Sequence, residues 1–122
     1  MLSSQKRIKM YTIYHNPRCK KSRAGLEFLK SKTNDFEIVE YLKNPLTTAE
    51  FKTLLMKLNK KPLEMVRTQE AIYKSDFKGK NFTDDEWIKI MIENPKLIKR
   101  PIIVNGNKAV WGDPVEEIDV LF

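Results

Sequence analysis

Cys19 is the single cysteine of this 122-residue chain, and it is the side chain best suited to carry chemistry. It lies between an apolar, strand-like run and an amphipathic helix, in the segment Tyr14-His15-Asn16-Pro17-Arg18-Cys19-Lys20-Lys21-Ser22-Arg23. The thiolate is the nucleophilic form of cysteine, and its pKa falls from about 8.5 at a helix N-terminus or among cations. Because the segment meets both conditions, the sequence predicts a reactive thiolate at Cys19.

Basic residues are concentrated around this thiol. Residues 1–23 contain seven Lys or Arg and no Asp or Glu, whereas residues 24–122 contain sixteen of each sign, so the formal net charge of +7 comes from the first 23 residues. A nucleic-acid binder more often carries a basic stripe on an exposed face, with aromatic residues that stack on bases. Cations around a thiol instead favour a small anionic substrate and no direct binding of nucleic acid. The alternative is a lysine-rich start that only keeps the protein soluble.

Length and cysteine content limit the class of protein. A chain of 122 residues, 41% of them hydrophobic, can bury one core, so we expect one domain over residues 8–122 after a flexible basic tail at residues 1–7. One cysteine cannot form an intramolecular disulfide, which favours a reducing compartment. Residues 1–10 lack the apolar segment of a signal peptide, and no apolar run approaches the roughly 20 residues of a membrane helix. These features predict a cytoplasmic protein that does not bind membranes.

Metal binding is not expected. The chain has one histidine and one cysteine. These two side chains cannot supply the three or four protein ligands of a zinc site.

The predicted elements begin with a βαβ unit. Ile8–Tyr14 mixes β-branched, aromatic and apolar residues, as is typical of a strand, and Ser22–Lys32 spaces its apolar residues as in a helix. Phe36–Leu42 predicts a second strand. A helix between two parallel strands of one sheet almost always forms a right-handed crossover. Cys19 lies in the loop between the first strand and this helix.

Residues 44–98 are predicted to be helical. Thr47 and Thr83 each stand three residues before a glutamate, the spacing at which the threonine oxygen and the glutamate side chain bond free amides at a helix start. Pro62 begins a short helix near Arg67, and Asn94-Pro95 ends the last helix of this region.

The chain then returns to strands. Asn105-Gly106-Asn107 lies between two apolar runs and predicts a β-hairpin, because glycine readily adopts a positive φ. Asp113 is the expected N-cap of a final helix, with Pro114 at its first position.

Five motifs in this order resemble those of the glutaredoxin-coupled arsenate reductase family, the group that also includes the Spx-type transcription regulators. The motifs are Ile13-Tyr14-His15-Asn16-Pro17-Arg18-Cys19-Lys20-Lys21-Ser22-Arg23, Tyr41-Leu42-Lys43-Asn44-Pro45, Val66-Arg67, Phe82-Thr83-Asp84-Asp85 and Asn94-Pro95-Lys96-Leu97-Ile98-Lys99-Arg100-Pro101-Ile102-Ile103-Val104. The resemblance covers nearly all of residues 8–121. It implies an α/β, thioredoxin-like fold with a helical insertion between the second and third strands.

The resemblance also implies a reaction. The Cys19 thiolate would attack arsenate and form a cysteine-bound arsenic ester, which glutathione and glutaredoxin reduce to arsenite. Glutathione would be a co-substrate, with no bound cofactor. Three arginines handle the oxyanion in that family, and Arg67 and Arg100 match two of them. A guanidinium stays charged and offers a planar fork of donors, so it can hold a tetrahedral anion and stabilise the charge of the attack.

The third arginine of the family is missing. It would precede the proline that opens the last helix, where this chain has Asp113 before Pro114. A carboxylate at that place would repel arsenate if it faced Cys19, although an aspartate N-cap is also an ordinary structural choice.

Five residues are expected to support the cysteine loop: His15, Asn16, Ser22, Arg23 and Pro101. His15 either orients the loop or helps to hold the thiolate, and Ser22 either donates its hydroxyl to the sulfur or caps the helix. In the alternative interpretation, His15 and Asn16 only fold the loop through backbone bonds. The resemblance implies a cis Arg100-Pro101 bond beside the thiol, and a trans proline is the alternative.

Two other functions compete with arsenate reduction. A monothiol reductase would use glutathione on glutathionylated partners, and Asp113 would not hinder it. An Spx-like redox regulator would bind RNA polymerase, but such sensors carry a Cys-x-x-Cys pair, which Cys19-Lys20-Lys21-Ser22 cannot form.

Overall fold

A four-stranded sheet with helices on both faces organises this chain, which a computed structural model describes over residues 9–122. The strands are β1 (Tyr11–Tyr14), β2 (Phe36–Val39), β3 (Ile102–Asn105) and β4 (Lys108–Trp111). Their order is β2-β1-β3-β4, with β1 parallel to β2, and with β3 antiparallel to both of its neighbours. The predicted tail at residues 1–7 and the predicted strand residue Ile8 lie outside the described residues.

One face of the sheet is covered by α1 (Lys20–Lys32) and by a C-terminal 3₁₀ helix (Val115–Leu121). Their side chains form one core cluster with the inward residues of the central strands, among them Ile13 and Ile103, both fully buried. Because side chains alternate across a strand, the neighbours of Ile103 face the opposite side of the sheet. The first βαβ unit therefore has the predicted order.

The other face of the sheet carries the helices between β2 and β3. The two main ones are α2 (Thr48–Leu58) and α3 (Asp84–Glu93), and each begins with the predicted capping box. Shorter helices connect them: 3₁₀ helices at Pro62–Met65 and Pro95–Leu97, and a π-helix at Tyr73–Phe77. The second, larger core cluster lies among these helices and against the sheet. The α/β, thioredoxin-like fold with a helical insertion between the second and third strands is thus confirmed.

The predicted hairpin is also confirmed. Gly106 has a φ of 60° in the turn between β3 and β4, a conformation that favours glycine. The pairing of β3 with β4 brings Ile102 opposite Trp111.

Several element boundaries differ from the prediction. The first strand begins at Tyr11, with Lys9 and Met10 outside it, and α1 begins at Lys20 rather than at Ser22. The strand expected to reach Leu42 ends at Val39, because the amides of Lys43 and Asn44 both donate to the carbonyl of Glu40 and turn the chain away from the sheet. This turn buries Tyr41 beneath the helical insertion.

The start of the last helix was also predicted incorrectly. The 3₁₀ helix begins at Val115, with Pro114 rather than Asp113 in the N-cap position and in extended conformation. The Asp113-Pro114 peptide is cis, and the Asp113 carboxylate forms an ion pair with Lys21 of α1 at 2.9 Å instead of capping the helix.

Candidate active site

The loop before Cys19 is folded by short backbone bonds centred on Asn16. The amide of Cys19 donates to the Asn16 carbonyl at 3.0 Å, and the amide of Arg18 donates to Asn16 Oδ1 at 3.0 Å. The amide of His15 donates to the Val39 carbonyl at 2.9 Å, which joins the start of the loop to β2. Asn16 itself is buried, so this arrangement is part of the interior.

Ser22 and His15 form a buried polar pair below the loop. Ser22 Oγ accepts from the Asn16 amide at 2.9 Å and lies 2.7 Å from His15 Nδ1. Burial lowers the pKa of His15 below its ordinary value, and this effect outweighs the raising influence of Glu40. A neutral imidazole accepts at Nδ1, which suits the remaining hydrogen of the Ser22 hydroxyl. The Ser22 side chain thus bonds His15 and the loop backbone.

Two earlier expectations are corrected by this geometry. Ser22 is not the helix N-cap, because the N-cap residue of α1 is Cys19. The Ser22 hydroxyl does not donate to sulfur either, since its hydrogen-bond partners are His15 and Asn16. Arg23 lies where a supporting residue is expected: its Nη1 donates to the Pro17 carbonyl at 3.0 Å and spans the loop.

Cys19 occupies the N-cap position of α1, half-exposed and with extended backbone. Burial raises the pKa of its thiol, but this effect is outweighed by the Arg100 guanidinium beside the sulfur and by the Ser22 and Lys21 amides at the helix N-terminus. The pKa of Cys19 is therefore lowered from its ordinary value. The predicted direction is confirmed, but the cation responsible is Arg100, which is distant in sequence.

The two candidate arginines are held by one short antiparallel pairing. Val66 and Ile98 form an isolated β-bridge, and the Arg67 amide donates to the Leu97 carbonyl at 2.7 Å. Since Arg67 follows Val66 and Arg100 lies two residues beyond Ile98, this bridge brings together arginines that are 33 positions apart in the chain.

Arg100 is 8% exposed, unusual for an arginine. Its Nη1 donates to the Lys96 carbonyl at 3.0 Å, and its carbonyl accepts from Trp111 Nε1 at 3.2 Å. Arg100 Nε is buried and has no hydrogen-bond partner among residues 9–122. Buried donors are normally satisfied, so this guanidinium has capacity for an anion next to Cys19.

Arg67 differs from Arg100 in that its Nε has a hydrogen-bond partner. Its Nε donates to Glu70 Oε2 at 3.0 Å in an ion pair whose side chains are 15% and 23% exposed. Glu70 and Arg100 both line a cavity of about 460 Å³ that opens beside the cysteine loop at Asn16 and Arg18. An anion that enters this cavity meets the Arg100 cation and the Glu70 carboxylate.

Pro101 lies against the first half of α1. The Arg100-Pro101 bond is cis, as the family resemblance implies. A Cβ on Gly25 would come within 2.5 Å of Pro101 Cγ, so glycine is required in α1 for this close approach. A glycine inside an otherwise regular helix was the available sequence signal, and it was not used.

Tyr41 is a site residue that the sequence reasoning did not assign. Its hydroxyl donates to the Ile98 carbonyl at 3.4 Å, and its side chain is fully buried. Burial raises the pKa of Tyr41 to about 12, although the nearby Arg100 and Arg67 cations act in the opposite direction. The available signal was its place in the Tyr41-Leu42-Lys43-Asn44-Pro45 motif.

Asp113 faces the first turn of α1. The Gly112 amide donates to the Pro101 carbonyl at 2.9 Å, which holds this segment beside the site, and the Asp113 carboxylate pairs with Lys21. The place of the third family arginine is therefore taken by a carboxylate that engages one of the cations of the cysteine loop.

Comparison with known proteins identifies the family. The ArsC family model matches residues 14–121. This chain belongs to the ArsC family. The Escherichia coli K12 protein YfgD, described as uncharacterized, is 38% identical over 112 residues, which are 90% of this chain and 94% of YfgD.

Relatives of known name agree with this assignment. An arsenate reductase of Neisseria meningitidis serogroup A is 34% identical over 111 residues, covering 89% of this chain and 95% of the relative. The solved structure of an arsenate reductase from Vibrio cholerae superposes with a TM-score of 0.87 at 32% identity, covering 95% of this chain and all of that one. This ArsC-family protein is accordingly an arsenate reductase-like, thiol-dependent oxidoreductase.

Two other features are absent from residues 9–122. Over residues 9–122, no helix has the length and apolar character needed to cross a membrane. Within the same range, no three side chains of His, Cys, Asp or Glu are grouped so that they could hold a metal ion.

Proposed function

We propose that this protein reduces arsenate through a covalent intermediate on Cys19. The observation that supports it most is the Cys19 sulfur at the N-terminus of α1 with the buried Arg100 guanidinium beside it. One arrangement serves both reactants: the cation and the helix amides favour the thiolate, and the cation attracts the oxyanion.

In the first step the thiolate attacks the arsenic atom. A bond forms between sulfur and arsenic, and one arsenate oxygen leaves as water after taking up protons. Arg100 offers its unsatisfied Nε–H to the negative charge of the oxyanion, and the paired segment carrying Arg67 supplies the second guanidinium.

Thiols supply the two electrons of the reduction. We propose that the glutathione thiolate attacks the Cys19 sulfur of the ester. The sulfur–arsenic bond then breaks, its electron pair leaves with arsenic as arsenite, and Cys19 and glutathione remain joined as a mixed disulfide. Glutaredoxin then takes this glutathione group and regenerates the Cys19 thiol. Since these reactants occur in a reducing cytoplasm, we place the protein there.

A second candidate is favoured by Asp113. Because this carboxylate neutralises Lys21, the rim of the site carries less positive charge than three arginines would give it. A monothiol reductase that attacks glutathionylated proteins does not need a third cation for an oxyanion. The Spx-like alternative has no comparable support, since the chain offers Ser22 where a second cysteine is required.

Steady-state assays with arsenate, glutathione and glutaredoxin separate the two enzymatic functions. We expect arsenite production by the wild type and none by Cys19→Ser, because a neutral hydroxyl cannot replace the thiolate nucleophile. A glutathionylated peptide serves as the competing substrate in a parallel assay. If the wild type deglutathionylates the peptide but produces no arsenite, the proposal of arsenate reduction is wrong and the monothiol function replaces it.

A further inference from the structure

A buried hydroxyl lies behind the two arginines. The Tyr41 side chain is 1% exposed, and its O–H donates to the Ile98 carbonyl at 3.4 Å. With its hydrogen directed to Ile98, the phenol oxygen has lone pairs for another donor. Arg100, Arg67 and Cys19 are all close enough to this hydroxyl to act on it electrostatically.

Ile98 is the residue through which Tyr41 reaches both arginines. The bridge between Val66 and Ile98 sets the positions of the segments that carry Arg67 and Arg100. A second bond, from the Lys99 amide to the Met65 carbonyl at 2.9 Å, extends this pairing. The Tyr41 hydroxyl therefore contacts the pairing at its centre.

Within residues 9–122, the side-chain bonds of Arg100 fix one end of its guanidinium only. Its side chain is long and flexible, and one bond, from Nη1 to the Lys96 carbonyl, fixes one end of the guanidinium. The buried Nε has no partner within the described residues. The orientation of the guanidinium therefore depends on the position of the backbone segment that carries Arg100.

We propose that Tyr41 is a positioning residue for the chemistry at Cys19: its hydroxyl, bonded to the Ile98 carbonyl, holds the paired segment that carries Arg100 and so keeps the guanidinium in the orientation that receives an oxyanion. The identity of the oxyanion rests on the proposed function, whereas the bond of Tyr41 to Ile98 and the pairing that positions Arg100 do not. The ordinary alternative is that Tyr41 is only a core tyrosine whose hydroxyl finds a convenient carbonyl.

The chain contains a matched control for that alternative. Tyr11 is 6% exposed, and its hydroxyl donates to the Leu121 carbonyl at 3.4 Å, the same bond length as in Tyr41. Tyr11 belongs to the core cluster on the opposite face of the sheet, with α1 and the C-terminal helix. Removing either hydroxyl takes away one buried bond to a carbonyl, but of these two tyrosines Tyr41 is the one that bonds the segment before Arg100.

The test compares Tyr41→Phe with Tyr11→Phe. Both substitutions keep the ring, and thermal melts establish that both variants are folded. Two properties of Cys19 are then measured: its titration, from the ultraviolet absorbance of the thiolate, and the arsenate concentration that halves its rate of alkylation by iodoacetamide. We expect Tyr41→Phe to raise the pKa of Cys19 and to raise the half-protecting arsenate concentration about three- to tenfold, the range of one hydrogen bond. Tyr11→Phe should leave both unchanged.

A double-mutant cycle tests whether Tyr41 acts through Arg100. In an Arg100→Lys background, Tyr41→Phe should have no further effect on the titration of Cys19, because the group that Tyr41 positions is gone. If Tyr41→Phe does not fold, the wild type is instead labelled with ¹³C at Cζ of its tyrosines and followed by NMR. The Tyr41 resonance should then shift as Cys19 ionises.

The proposal is overturned if Tyr41→Phe leaves the titration midpoint of Cys19 at its wild-type value, or if Tyr11→Phe shifts that midpoint by the same amount. It is also overturned if the labelled Tyr41 resonance does not shift when Cys19 ionises. The outcome for arsenate is separate. If arsenate protects neither wild type nor variant, the proposed function fails, while the titration still decides the role of Tyr41.

Discussion

Gly25→Ala tests whether the contact between α1 and Pro101 positions the site. An added Cβ would lie 2.5 Å from Pro101 Cγ and 3.6 Å from both Cβ and Cδ of the same ring. Real Cβ contacts do not occur at 2.5 Å, and neither the helix backbone nor the proline ring is flexible. Either α1 or the start of β3 must therefore move by several tenths of an ångström.

The expected magnitude is the difference between two opposing effects. Alanine favours the interior of a helix over glycine by about 0.5–1 kcal/mol, whereas overpacking of a close contact costs about 1–3 kcal/mol. We expect Gly25→Ala to lower the free energy of unfolding by about 1–2 kcal/mol in urea denaturation. Because Pro101 directly follows Arg100, the same displacement should weaken the contact of Arg100 with the thiolate and raise the pKa of Cys19.

Gly106→Ala is the control, since it also destabilises the protein but does so far from Cys19. Gly106 has a φ of 60° and no heavy atom within 4 Å of an added Cβ, so alanine there costs about 1–2 kcal/mol through the left-handed backbone alone. It should leave the titration of Cys19 unchanged. The reasoning is refuted if Gly25→Ala is as stable as wild type, or if Gly106→Ala shifts the Cys19 titration by the same amount.

Two further predictions concern charge. Asp113→Arg removes a carboxylate from the rim and should strengthen arsenate protection of Cys19 by about 1 kcal/mol, measured from half-protecting concentrations. Loss of the partly exposed ion pair with Lys21 should lower the free energy of unfolding by less than about 1 kcal/mol. Unchanged or weaker protection would contradict the idea that Asp113 opposes anions. The second prediction follows from the pKa of Cys19, which Arg100 and the helix amides lower against the effect of burial. A group with a lowered folded-state pKa stabilises the protein above its unfolded pKa and loses that contribution as pH falls through the folded pKa. The free energy of unfolding is measured in urea at several pH values for the wild type and for Cys19→Ser. The difference between the two proteins should rise with pH between those two pKa values. A difference independent of pH would show that the thiolate is not stabilised by folding.

Local sequence patterns predicted those parts of the fold that depend on neighbouring residues. The capping boxes at Thr47 and Thr83 require residues three positions apart, and the hairpin requires a glycine at Gly106. The position of Cys19 at the start of a helix follows in the same way from the change of hydrophobic period after the loop. These signals are contained within a few residues, so tertiary structure does not need to be known.

The errors arose where a distant contact decides the local structure. The chain leaves β2 after Val39 in a turn that buries Tyr41 under the helical insertion, and Asp113 pairs with Lys21 rather than with the start of the last helix. Nothing in the immediate sequence distinguishes an aspartate that caps a helix from one that binds a lysine about 90 positions earlier. Arg67 and Arg100 were found through family motifs, because no periodicity relates the two ends of the Val66–Ile98 bridge.

Positive charge has two functions in this chain: cations in the cysteine loop make structural bonds, and Arg100 lowers the pKa of Cys19. The basic residues next to Cys19 predicted the direction of its pKa, yet two of them have other tasks: Lys21 binds Asp113, and Arg23 binds the Pro17 carbonyl. The charge that lowers the pKa is the buried Arg100, whose position depends on the distant pairing of residues 65–67 with 97–99. A buried charge is screened by salt much less than exposed ones are. The cysteine loop therefore positions the Cys19 thiol, while the segment before β3 lowers its pKa through Arg100. Substitutions in the loop should mainly affect structure, and substitutions in the segment before β3 should mainly affect the reactivity of the thiol.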